Sequence, residues 1–164
     1  MAIRFGILTL SDRSFRGERE DASGPALASL LHTRGWSVVN QQILPDDESA
    51  IRAMLIEWAD GGEMDVILTT GSTGFAPRDV APEATRAVIQ RDAPGIAETM
   101  RAESLKKTPH AMLSRAVAGI RGRTLIINLP GSPKGAVENL ETVLPVLPHA
   151  VQLLTDDPGS EATH

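Results

Sequence analysis

Cysteine is absent from the 164 residues. Disulfides, thiolate zinc sites, iron–sulfur clusters and a cysteine nucleophile are therefore excluded. Histidine is sparse, and His32, His110, His149 and His164 are not paired at metal-ligand spacing, so no histidine metal site is expected. No apolar run approaches the ~20 residues that span a bilayer. The opening MAIRFGILTL runs into a polar loop instead of a signal-peptide pattern. Positive charge is not in excess: the net charge is −5, which argues against non-specific binding to nucleic acid or an anionic membrane. The expectation is a cytoplasmic protein with neither as partner. Repeats, linkers and low-complexity segments are also missing. What remains is an ordinary globular composition, 41% hydrophobic and 23% charged. It suits one domain, expected over 1–154, with a frayed acidic tail at 155–164.

Apolar, β-branched runs at 3–10, 36–44, 65–69, 116–120 and 124–128 predict strands, the last two forming a hairpin around Arg121-Gly122-Arg123. Helices are predicted between them. One opens at Gly24-Pro25, and one follows the acids of Pro45-Asp46-Asp47-Glu48, which suit a cap and first turn. Others open at Pro82, Pro94 and Pro133, where proline is tolerated, and a last one covers 147–154. Strands alternating with helices predict an α/β fold: a mostly parallel sheet covered on both faces, with a hairpin edge. Ligands of such sheets sit beyond the carboxyl ends of the strands. The loops 11–22, 45–47, 70–81 and 129–132 should therefore gather into one site.

Those loops carry the chemistry. In TTGSTG, Thr69, Thr70, Gly71, Ser72, Thr73 and Gly74 can turn main-chain N–H groups and hydroxyls toward an anion at a helix start. A tight strand–helix turn without ligand has the same composition. It is neither a P-loop nor a dinucleotide fingerprint. Arg78 can fork onto phosphate oxygens. Asp79 beside it is repulsive to phosphate unless a divalent cation intervenes, since Mg²⁺ is held by one or two carboxylates plus substrate phosphates. Asp46 is the second candidate carboxylate. The competing readings are an ion pair for Asp79 and a helix cap for Asp46. The turn with Pro130, Gly131, Ser132 and Lys134 can meet a second anion, and the long loop offers Ser11, Asp12, Asp21 and Ser23. Ser114, in Leu113-Ser114-Arg115, has no His/Asp partner for nucleophilic work and reads alone as a surface turn.

Together LTLSDR with DASG, LPDD, LTTGSTGFAPRDVAPEAT, AMLSRAVAGIRGRTLIINLPGSPKG and LPHAVQLL resemble the molybdopterin-binding proteins of the Mog/MoaB type. The likeness is strongest to the adenylyltransferases and to the N-terminal domain of gephyrin. It implies a three-layer α/β/α domain in a homotrimer, with the aliphatic residues of 143–154 a candidate interface. It also implies Mg²⁺-dependent transfer of AMP from ATP to the terminal phosphate of molybdopterin, with pyrophosphate released. Hand-over of the product to a molybdate-insertion protein is part of that expectation. Asp46 and Asp79 match the family's catalytic acids. Thr70, Gly71, Ser72, Gly74, Gly131 and Ser132 match its pterin and phosphate contacts, and Ser114 its serine near the substrate. The family turn is commonly TTGGTG, and Ser72 departs from it. If that position requires positive φ, serine costs roughly 1–2 kcal/mol; if not, its hydroxyl is an added donor. Relatives of the MoaB kind share fold and pterin loops without adenylyl transfer being assured, so a non-catalytic molybdopterin carrier is the alternative.

Overall fold

The computed structural model describes residues 1–156. The tail expected at 155–164 lies, from residue 157 on, outside the described residues. Six strands, β1 (Arg4–Leu10), β2 (Ser37–Leu44), β3 (Val66–Thr70), β4 (Arg91–Asp92), β5 (Ala118–Arg121) and β6 (Thr124–Leu129), form one sheet in the order β2-β1-β3-β6-β5-β4. The first four run parallel, and β5 and β4 are antiparallel additions at one edge. The helices are α1 (Asp12–Phe15), α2 (Ser23–Thr33), α3 (Glu48–Asp60), α4 (Ala81–Val88), α5 (Pro94–Leu105), α6 (Pro133–Val143) and α7 (Leu147–Leu154).

Alternation along the strands sorts side chains into two cores. Phe5, Ile7, Val66, Leu68, Leu125 and Ile127 face α2, α5, α6 and α7 through Leu27, Leu31, Met100, Leu140 and Val151. Leu8, Leu10, Ile67 and Ile126 face α3 and α4 through Ile51, Leu55, Trp58, Ala84 and Val88. Removing a side chain such as Leu55 from this second layer would cost about 2–5 kcal/mol. The result is the three-layer α/β/α arrangement, with the central strands buried on both faces.

Several expectations are corrected. The 11–22 loop contains a helical turn, α1, because the Ser11 hydroxyl accepts from Ser14 N at 3.1 Å and caps it. Strand β4 has too few residues to carry a periodicity. It forms because Gln90 N and Ala93 N reach the carbonyls of Ile120 and Ala118 at 2.8 and 3.0 Å. The aliphatic face of 143–154 is mostly core: Val143, Leu144, Leu147 and Val151 are buried, leaving Val146 and Leu153 exposed. Among the described residues no helix is long and apolar enough to cross a membrane.

Candidate functional site

Strands β1, β3 and β6 end flush, with Thr9 opposite Thr70 and Thr70 opposite Leu129. Their following loops therefore start at one rim. Gly71 has φ +99, and a Cβ there would lie 2.5 Å from the Leu10 carbonyl oxygen. Across from it, a Cβ on Gly131 would lie 3.2 Å from Gly71 Cα. Only glycines let the two turns cross this closely. The crossing is tied by Gly71 N donating to Leu129 O at 3.0 Å and by Thr70 Oγ1 donating to Pro130 O at 2.7 Å.

Above this floor lies a cleft of about 830 Å³. All four loops contribute to it. Ser11, Asp12, Asp21, Ser23, Asp46, Thr70, Gly71, Ser72, Thr73, Gly74, Arg78, Asp79, Gly131 and Ser132 line it. A smaller cleft of about 330 Å³ adjoins it, sharing Thr73, Gly74 and Ser132 and adding Ser114 and Pro130. Lys134 lines neither; its side chain is 87% exposed, with Glu138 4.0 Å away. Thr69 is buried beneath the rim, and its hydroxyl accepts from Asn128 Nδ2 at 2.9 Å, so it is no ligand donor.

The helix cap falls to Asp47, whose Oδ1 accepts from Ser49 N at 3.0 Å. Asp46 is thereby left for another role. It exchanges bonds with Asp12: Asp12 N donates to Asp46 Oδ2 at 3.1 Å and Asp46 N to Asp12 Oδ1 at 3.0 Å. Among the described residues none donates to the shielded Asp46 Oδ1. Arg78 does not pair with Asp79 but forks onto Asp12, Nε to Oδ2 at 2.5 Å and Nη2 to Oδ1 at 3.0 Å. The Arg78 bond, aided by the Asp46 N–H and opposed by burial, holds the Asp12 carboxyl at about 2. Asp79 Oδ2 accepts from Ala76 N at 3.0 Å. Asp21 accepts from Thr9 Oγ1 at 2.8 Å and Gly24 N at 3.1 Å, which folds the long loop back onto β1.

Ser72 sits at φ 63, so the strain of its departure from glycine applies. Its hydroxyl is not aimed at a ligand. It accepts from Val80 N at 2.9 Å and donates to Arg78 O at 3.4 Å, capping α4 from outside that helix. Ser132 likewise caps α6 by accepting from Gly135 N at 3.1 Å.

Two groups of residues escaped the sequence reading. Arg13, Arg16 and Arg19 line the large cleft, and the only signal was their place in a loop too long for a simple connection. Arg115 donates to Gly74 O at 2.8 Å, Asp79 O at 2.8 Å and Glu83 Oε2 at 2.7 Å, and so holds the Glu83 carboxyl below its usual range. Nothing in its local pattern marks that role.

Asp12, Glu20, Asp21, Asp46 and Asp79 face Arg13, Arg16, Arg19 and Arg78 around the cleft, so acids outnumber cations. Among the described residues no group of three or more His, Cys, Asp or Glu side chains is placed to hold a metal ion alone. The donor set present, Asp46 with its unengaged Oδ1 and Asp79, suits a hard cation that takes most of its oxygens from a phosphate ligand.

A family model described as a probable molybdopterin binding domain matches residues 6–149. The molybdenum cofactor synthesis protein cinnamon of Drosophila melanogaster is 46% identical over 160 residues, covering 95% of this chain and 26% of that protein. The molybdopterin adenylyltransferase of Helicobacter pylori strain J99 is 44% identical over 154 residues, covering 93% and 88%. The chain thus spans about a quarter of cinnamon and most of the bacterial relative. Among solved structures, the molybdopterin biosynthesis enzyme MoaB of Thermus thermophilus superposes with a TM-score of 0.89 at 55% identity, covering 95% and 98% of the two chains.

Proposed function

We propose that this chain, which belongs to the molybdopterin-binding domain family, is a molybdopterin adenylyltransferase of molybdenum cofactor biosynthesis. The observation that carries the reading is Asp46. Relieved of capping by Asp47, it lines the cleft together with Asp79, and its shielded Oδ1 has no donor among the described residues.

In the proposed reaction an oxygen of the terminal phosphate of molybdopterin bonds to the α-phosphorus of ATP. The bond from that phosphorus to the bridging oxygen breaks, and pyrophosphate leaves. The nucleophile is already an anion, so no general base is needed. Repulsion between phosphates dominates the barrier, and positioning plus positive charge relieves it. Asp46 and Asp79 would hold Mg²⁺, which when bound would supply positive charge to the reacting phosphates. The excess of acids in the cleft supports the need for that added charge. The Gly71 and Gly131 turns offer main-chain dipoles to phosphate, and Arg13 and Arg19 are cations for the departing pyrophosphate, with Arg16 beside them forked onto Glu18. The smaller cleft beside Ser114 takes the pterin. The protein works in the cytoplasm as a homotrimer, which a monomer mass in dilute solution would contradict.

The test is a single-turnover assay with molybdopterin, ATP and Mg²⁺, quantifying adenylylated molybdopterin and pyrophosphate beside a metal-free control. Metal-dependent product supports the transferase. Bound molybdopterin without product replaces it with the carrier reading.

A further inference from the structure

The 74–79 segment carries Arg78 and Asp79 across the mouth of the site, and its own internal bonds are few. Asp79 N donates to Ala76 O at 2.9 Å, and Asp79 Oδ2 accepts from Ala76 N at 3.0 Å. Phe75 at its tip is 68% exposed and packs nothing down. What closes the segment is a residue far away in the chain. The Arg115 guanidinium donates from Nε to Gly74 O and from Nη2 to Asp79 O, each at 2.8 Å, gripping the first and last carbonyls of the loop. Its main-chain N donates to Thr73 O at 2.8 Å, one residue upstream. The third guanidinium arm is balanced by Glu83 at 2.7 Å, on α4 just past the loop. The clasp is itself anchored: Arg101 Nη1 donates to the carbonyls on either side, Ser114 O at 3.3 Å and Ala116 O at 2.8 Å.

Resting on the transferase reading above, we infer that Arg115 is a positioning residue, which fixes the 74–79 loop as a closed ring and so aims Asp79 into the cleft. The requirement is for a planar fork. Two carbonyls and a carboxylate are met by separate arms of one rigid cation, a geometry that a lysine ammonium on a flexible stem does not reproduce. Arg115 lines neither cleft, so its effect reaches the chemistry through the loop it holds, from Thr73 and Gly74 to Asp79. A misplacement of about 1 Å at a reacting group can cost ~100-fold in rate.

The experiment compares wild type, Arg115→Lys, Arg115→Ala and Glu83→Gln, with folding checked by circular dichroism, for kcat, KM for ATP and molybdopterin binding. The expected result is a kcat lower by roughly 30–100-fold in Arg115→Lys, with KM for ATP changed less than about 3-fold. Free guanidinium should restore part of kcat to Arg115→Ala and nothing to wild type. Glu83→Gln leaves both carbonyl bonds and should stay within about 3-fold of wild type. Wild-type kcat in Arg115→Lys overturns the inference. So does a Glu83→Gln loss equal to that of Arg115→Lys, which would make charge balance the cause. An Arg115→Lys chain that no longer folds also overturns it, since the guanidinium would then be holding the fold. Inactivity of the wild type itself is a different result and strikes the transferase reading.

Discussion

The loops bearing Asp46 and Asp79 line one cleft but are held by different contacts. Asp46 sits in a short connection between β2 and α3. The Asp47 cap fixes its C-terminal side, and reciprocal main-chain bonds with Asp12 fix Asp46 itself. Asp79 ends a long excursion whose anchors come from elsewhere: the Ser72 hydroxyl behind it and the Arg115 guanidinium from the segment before β5. Asp46 is placed by the neighbouring cap and by one partner loop 34 residues earlier, and Asp79 by a turn bond to Ala76 N and by two distant anchors. A site built this way has one wall on a short connection and one on a longer loop, where the Arg115 guanidinium ties the two ends together.

The largest test of this contrast removes each acid's charge without its shape. Asp46→Asn and Asp79→Asn should each lower single-turnover rate by about 100-fold or more, while molybdopterin binding followed by thermal shift is kept. Retained turnover in either variant would take that wall out of the chemistry. Next comes Asp12→Asn, which loosens Asp46 and releases Arg78 together. A rate loss of about 10-fold in the same assay is expected, smaller than for either acid because Asp12 acts through its neighbours. The same variant has a pH signature. The Asp12 carboxyl lies at about 2 in the fold against an ordinary 3.8. Its pairing therefore stabilises the chain above the ordinary value, and that contribution fades as pH falls from there through about 2. Urea midpoints measured over this window should fall more steeply in wild type than in Asp12→Asn. Equal slopes would show that the pair with Arg78 adds nothing in solution.

The smallest expected effect is at Ser72. Ser72→Gly relieves the positive-φ strain but removes the acceptor for Val80 N, so the net change should stay within about 1 kcal/mol. Ser72→Ala keeps the strain and loses the acceptor, and should cost about 1–2 kcal/mol by chemical denaturation. If the two variants are equally stable, the outside cap on α4 has no energetic weight.

Legibility in the sequence divides between local patterns and contacts made across the chain. Strand–helix alternation, the proline starts and the four rim loops are local patterns, and the layers and the shared cleft follow from them. Asp46, Asp79 and the glycine turns were singled out by their place on the rim loops and by the family resemblance, since a turn without ligand has the same composition. The Asp12–Arg78 fork, the Arg115 clasp and the two-residue strand β4 were not, because each is a contact between segments whose sequences carry no mutual period. The cap on α3 stayed open between two acids for a related reason: Asp46 and Asp47 are chemically equivalent candidates until the backbone decides which one faces the first turn. Lys134 was misplaced because a helix start says nothing about which way a long side chain leaves it.

The most direct measurement is a double-mutant cycle on the two walls. Single-turnover rates of wild type, Asp46→Asn, Asp79→Asn and the double variant would be compared at saturating Mg²⁺, ATP and molybdopterin. If both carboxylates serve one metal-assisted step, the double variant should be about as slow as the slower single one, because groups acting as a unit are not additive. Losses that multiply in the double variant would contradict the account and assign Asp46 and Asp79 to separate tasks.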